Sequence, residues 1–240
     1  MKTIGCIVIC FFYSYFSQAQ NLQKDYVADQ VMNWNSKAGA NVTNLVTGFD
    51  DRKGALKGDY YLEESWLMGH VMLNTGFEIK DIPIRYDLYN HYLEIKFDKS
   101  IKVLNESRIE SFRTFERSGS EKKYINASTF KLEDVPLLGF YEVLAEGECN
   151  LLKKTKIKIK EPDYVPAFDM GSMDTEIIKK TDYFLAFDET VYPIANGNNK
   201  NLAHFKEHKA VLKDYIKSNK LRFKRPDDAI KIVDFYNRLN

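Results

Sequence analysis

Residues 84–97 read IRYDLYNHYLEIKF, and their pattern decides the fold. Ile84 and Tyr86 alternate with Arg85 and Asp87, and Leu93, Ile95 and Phe97 alternate with Glu94 and Lys96. A period of two places each set on one side of a strand. Between the two runs, Leu88 to His91 contains the turn residue Asn90. The stretch therefore predicts a β-hairpin whose turn gathers polar residues, with His91 near the tip and exposed to solvent. Pro83 lacks a ladder donor and predicts an edge position or the start of a strand.

The same pattern extends in both directions. GHVMLN (69–74), IKVL (101–104), RIESFRTF (108–115) and KKYINA (122–127) are short and rich in β-branched or aromatic residues. LGFYEVLAEG (138–147), NLLKKTKIKIK (150–160), TDYFLAF (181–187) and VYPIA (191–195) continue it. Turn chemistry separates them, at Asn74-Thr75-Gly76, at Asp98-Lys99-Ser100 and near Gly147-Glu148. From residue 195 the period becomes helical. Asn201 is placed to cap LAHFKEHKAVLKDYIKSN, and Pro226-Asp227-Asp228 to open a second helix reaching Leu239. The fold class expected is α+β: a curved antiparallel sheet, open barrel or sandwich of consecutive hairpins, followed by a C-terminal two-helix segment.

The N-terminus has a different character. Lys2 is followed by an apolar run from Ile4 to Phe16, then by Ser17-Gln18-Ala19. That order matches a secretory signal peptide cleaved after Ala19. Residues 20–58 are polar and predict a weakly ordered lead-in; 59–194 would form the β domain and 195–240 the helical segment packed on it. Cleavage would remove Cys6 and Cys10 and leave Cys149 as the one cysteine, read as a buried or idle thiol rather than a nucleophile. It would also remove Lys2 and leave basic and acidic residues equal in number. Such a balance does not suit a nucleic-acid partner. No second apolar stretch reaches membrane-spanning length.

Charge is distributed unevenly. Residues 161–189 hold eight acidic and two basic side chains, and residues 200–225 hold nine basic and two acidic. Mutual neutralisation is the simplest expectation; two faces offered to different partners is the other reading. In KKTKIKIK, Lys154, Lys156, Lys158 and Lys160 share one strand face. They predict a lysine-guarded edge or solvated face, or else a cationic strip for an anionic glycan or lipid.

The closest match to a catalytic motif is His204-Phe205-Lys206-Glu207-His208. In H-x-x-E-H on a helix, both imidazoles lie on one side and can grip zinc, with the glutamate as base. A third ligand is required, and no glutamate follows Glu207. Metal binding by His204 and His208 is thus an alternative, with packed histidines preferred; no cofactor is expected. Neither a G-x-S-x-G elbow nor a glycine-rich phosphate loop occurs. Glu63, Glu64, Glu146 and Glu148 would serve a carboxylate-dependent hydrolase only if the fold paired them. The aromatic residues Tyr61, Trp66, Tyr86, Tyr89 and Tyr141 are candidates for a binding surface, because each offers a large contact area at low entropic cost.

Several segments occur in a characteristic order: Asp59-Tyr60-Tyr61-Leu62, Trp66, Gly69-His70-Val71 and Ile84-Arg85-Tyr86-Asp87-Leu88-Tyr89-Asn90. They continue through Gly139-Phe140-Tyr141-Glu142-Val143-Leu144, Gly147, Leu151-Leu152-Lys153, Tyr215-Ile216 and Asp234-Phe235-Tyr236-Asn237. In these segments the chain resembles a group of exported envelope proteins of Gram-negative bacteria. The group has no established activity, so the resemblance implies an export-linked envelope role and no catalytic residue. The resulting expectation is a non-catalytic accessory protein in the periplasm or at the outer membrane, docked to a larger protein assembly. A secreted hydrolase and a lipid- or glycan-binding protein are the alternatives.

Overall fold

The computed structural model describes residues 55–132, 135–164 and 170–239. The expected signal peptide and the lead-in as far as residue 54 lie outside them. Most of the described chain is one large, curved, open sheet. Its strands are β1 (Leu56–Lys57), β2 (Leu67–Leu73), β3 (Glu78–Asp87), β4 (Tyr92–Phe97), β5 (Ser100–Asn105), β6 (Ile109–Phe115) and β7 (Glu121–Asn126). They continue as β8 (Lys131–Leu132), β9 (Val135–Pro136), β10 (Phe140–Ala145), β11 (Cys149–Lys160), β12 (Thr175–Phe187) and β13 (Thr190–Pro193). The strand order is β5-β4-β3-β2-β6-β7-β10-β11-β12-β13-β8-β9, with β1 parallel to β12. Antiparallel hairpins build the sheet, as the alternating segments require.

The hairpin at 84–97 forms in the expected register, with Ile84 opposite Ile95 and Tyr86 opposite Leu93. These four residues are buried and belong to a core that also contains Val71, Ile109, Phe112 and Phe140. Pro83 behaves otherwise than expected, because β3 lies between β2 and β4. It pairs in register with Met68 of β2, but the β4 ladder starts only at Ile84. On the β4 side Pro83 is therefore beyond the ladder, where a missing donor is tolerated.

Residues 56–62 act as a strap across the curve. At one end Leu56 and Lys57 pair with Thr175 and Glu176, and Lys179 Nζ reaches the Asp59 carboxylate at 3.0 Å. At the other end the Leu62 N–H donates to the Tyr86 carbonyl, and the Leu88 N–H to that of Tyr60, both at 2.8 Å. Leu62 packs into the core beneath. Two cavities of about 10 Å³ each border it, and each has room for about one water.

The helical segment differs from the two helices expected. It comprises α1 (Asn198–Leu202), a 3₁₀ stretch (Ala203–His208), α2 (Lys209–Ser218) and α3 (Pro226–Asn237). Asn201 is not an N-cap. It is buried, and its side chain accepts from the Ala195 N–H and donates to the Ala195 and Gly197 carbonyls. Leu202, Phe205, Leu212, Ile216, Ile232, Val233 and Tyr236 pack against Ala145, Cys149, Leu151 and Leu185 of the sheet. At the C-terminus of α3, Asn237 grips both backbone groups of Cys149 at 2.9 Å.

Candidate functional site

The outer face of the β3–β4 hairpin carries the most organised polar cluster. Arg85 and Glu94 lie opposite each other, facing away from the Ile84–Ile95 core. Arg85 Nε and Nη2 donate to Glu94 Oε2 at 3.0 and 2.8 Å. The guanidinium carbon lies 3.6 Å from the Tyr61 ring centre and 4.6 Å from that of Trp66. The Tyr61 hydroxyl donates to Glu94 Oε1 at 3.3 Å. Burial, followed by the charge of Glu94, raises the Tyr61 phenol above its ordinary range. The Tyr60 and Tyr89 rings meet next to it, 5.4 Å apart, and Tyr89 is 46% exposed. An arginine clasped by two aromatic rings and a carboxylate has few rotamers left to lose on contact.

Of the five candidate surface aromatics, Tyr61 and Trp66 thus come together on Arg85, while Tyr89 is exposed on the adjoining turn and meets Tyr60. The other two do not belong to a surface. Tyr86 is 5% exposed and Tyr141 0%. Alternation along β3 points Tyr86 into the core, where it meets Phe140 edge-on. Tyr141 is enclosed by Phe130 and Phe184, and burial pushes its phenol up to about 12. Arg85 and Glu94 were missed as site residues, although their in-register opposition on a strand face was legible once the hairpin was drawn.

His91 also departs from expectation, because it is half-buried rather than at a solvated tip. Asp87 holds the turn by accepting from the Tyr89 and Asn90 N–H groups at 2.8 and 2.9 Å. His91 adopts φ 57°, and its Nδ1 lies 2.9 Å from the Tyr86 hydroxyl. Burial lowers the imidazole pKa; Lys154 acts the same way, while Glu106 and Asp87 oppose it. Gly139 packs against this pair in the left-handed region, at φ 81°. A Cβ there would fall 2.9 Å from the Tyr86 hydroxyl oxygen and 3.0 Å from His91 Nδ1. Glu106 accepts from the Gly139 N–H at 2.6 Å, and Lys154 donates to the Leu138 carbonyl. The group braces the β3–β4 turn against β10 and β11.

On the inner face, Glu142 and Lys153 form an ion pair at 2.7 Å, their side chains 9% and 26% exposed. Leu62, Leu88, Tyr124 and Phe140 surround it. Glu146 and Glu148 flank the β10–β11 turn, where they engage Lys123 Nζ at 2.6 Å and the Tyr236 hydroxyl at 3.0 Å. Glu63 lies 3.5 Å from Lys122.

His204 and His208 do not form the helical zinc-gripping pair. Lys206, between them, has φ 34° and ψ −110°, and this kink breaks the spacing that would align the two imidazoles. His204 instead stacks on Tyr192 at 4.0 Å, and His208 lies edge-on to Tyr236 at 5.7 Å. Among the described residues, no group of three or more His, Cys, Asp or Glu side chains is arranged to hold a metal ion. Cys149 is buried, and desolvation raises its thiol pKa. No helix of the described residues is long and apolar enough to cross a membrane. No family model, curated protein or solved structure matches the chain.

Proposed function

We propose that this protein is a non-catalytic accessory of the bacterial cell envelope, exported to the periplasm or outer membrane, where it docks onto a larger protein assembly. The observation that carries the reading is the Tyr61–Arg85–Trp66 stack, with Tyr89 exposed on the turn of the same hairpin. Tyr, Trp and Arg are the residue types that dominate binding hot spots. Here they are already fixed by Glu94 and by one another, so little side-chain entropy remains to be lost on docking. Export is supported by the signal-like order of Lys2, the apolar run and Ser17-Gln18-Ala19.

The test is affinity purification of the full chain from native envelopes in mild detergent. A stoichiometric complex is expected, and Trp66→Ala/Tyr89→Ala should release the partner while leaving the unfolding midpoint close to wild type. Recovery of free monomer alone, or a complex indifferent to both substitutions, would refute the proposal.

A further inference from the structure

Among the described residues, no ion pair joins the acidic stretch to the basic one. Asp163 accepts from the Ser172 N–H at 2.7 Å. Asp174 pairs with Lys57 at 2.6 Å, Asp182 with Lys156 at 2.5 Å and Glu189 with Lys131 at 3.1 Å. These four acidic residues are thus engaged with strand residues or, for Asp163, with Ser172. All nine basic residues between 200 and 225 are exposed, and among the described residues none of them forms an ion pair.

Their arrangement is regular. Lys209, Lys213 and Lys217 follow one another at four-residue spacing along α2. That spacing places like charges one above another in a single stripe, an arrangement that destabilises an isolated helix. In the loop that follows, Leu221 and Phe223 are buried, while Arg222, Lys224 and Arg225 are exposed. The apolar side of α2, Leu212 and Ile216, is committed to the core. Its aromatic residue, Tyr215, is stacked on Phe235 at 4.0 Å. The face therefore presents charge, with Val211 as the exposed large apolar residue of α2.

We infer that this basic face, α2 and the loop leading to α3, rests on an anionic lipid surface. Stacking on sugars or bases needs a free aromatic ring, and Tyr215 is engaged. A protein partner needs buried aromatic or apolar anchors. A plane of repeated phosphates needs neither, and spaced lysines on a rigid helix meet it through long-range attraction. The contact is peripheral, since the helix has no free apolar side to insert.

The experiment is co-sedimentation of the full chain with phosphatidylcholine vesicles, with and without phosphatidylglycerol. Binding is expected only with phosphatidylglycerol, and raising the ionic strength should release it. Lys209→Glu/Lys213→Glu/Lys217→Glu should lower partitioning at least about tenfold. Arg222→Glu/Lys224→Glu gives a second reading should the triple variant fold poorly. Lys158→Glu/Lys180→Glu, on the exposed β11–β12 ribbon, should change little. Equal binding to neutral vesicles overturns the inference, as does binding unaffected by either helical-segment variant. Release by the ribbon variant alone also overturns it, as does capture by poly-glutamate without vesicle binding. The envelope purification probes a different face, so failure of either experiment is distinguishable from failure of the other.

Discussion

Lys153→Met is expected to destabilise the fold by about 3 kcal/mol, because it leaves the Glu142 carboxylate buried without its partner. The two charges lie 2.7 Å apart. At an effective dielectric constant of 20, Coulomb's law gives a gross attraction of about 6 kcal/mol. Most of this is offset by taking the carboxylate, 9% exposed, out of water. Glu142→Leu should lose less, about 1–2 kcal/mol, because Lys153 retains 26% exposure and can turn towards solvent. A leucine at 142 would also meet Leu62, Leu88 and Phe140. The double variant Glu142→Leu/Lys153→Met should then lie within about 1 kcal/mol of wild type, since an apolar pair of similar volume replaces a buried ion pair with little loss. Guanidinium unfolding of all four proteins, extrapolated linearly to water, gives the coupling directly. If the double variant loses as much as the two single variants combined, the pair is not coupled and the burial argument fails.

Other consequences follow from single contacts. The folded pKa of His91 is lowered chiefly by burial, so on acidification the unfolded chain takes up its proton first. Its contribution to stability is complete above about pH 6.5 and declines as pH falls below that value. His91→Gln should therefore show a smaller loss of unfolding midpoint than wild type between neutral and mildly acidic buffer; parallel losses would contradict the assignment. Gly139→Ala should destabilise by about 2 kcal/mol or more, through its left-handed backbone and the Cβ approach to Tyr86 and His91. A normal melting temperature for that variant would show the brace to be slack. Asn237→Ala should cost about 2–3 kcal/mol, because the Cys149 N–H and carbonyl both lose their side-chain partner. Hydrogen exchange at the start of β11 should rise in the same variant. Cys149 should resist a thiol reagent in native buffer and react fully in denaturant; rapid native labelling would place the thiol at a surface.

What the sequence determined by itself was local. The alternation in 84–97 specified a hairpin and the inward side of each strand, because a period of two leaves one choice of buried face. The same rule located β2 to β7 and β10 to β13, since all carry β-branched or aromatic residues bounded by turn chemistry. The two-residue strands β1, β8 and β9 were not legible, because each is too short to show a period, and β1 lies in the stretch read as a weakly ordered lead-in. Separating the aromatic residues required the tertiary structure. Tyr86 and Arg85 are neighbours in one strand, yet one fills the core and the other is clasped by Tyr61 and Trp66, which arrive from the strap and the start of β2. Whether His204 and His208 could meet rested on the backbone at Lys206, where a kink replaced the helix that the apolar spacing had suggested. Whether two charged stretches neutralise each other depends on which elements become neighbours. Here Asp174, Glu189 and Asp182 found their partners in β1, β8 and β11, and the lysines of α2 face outward. Sequence spacing fixes which side chains share a face, but only packing decides what that face meets.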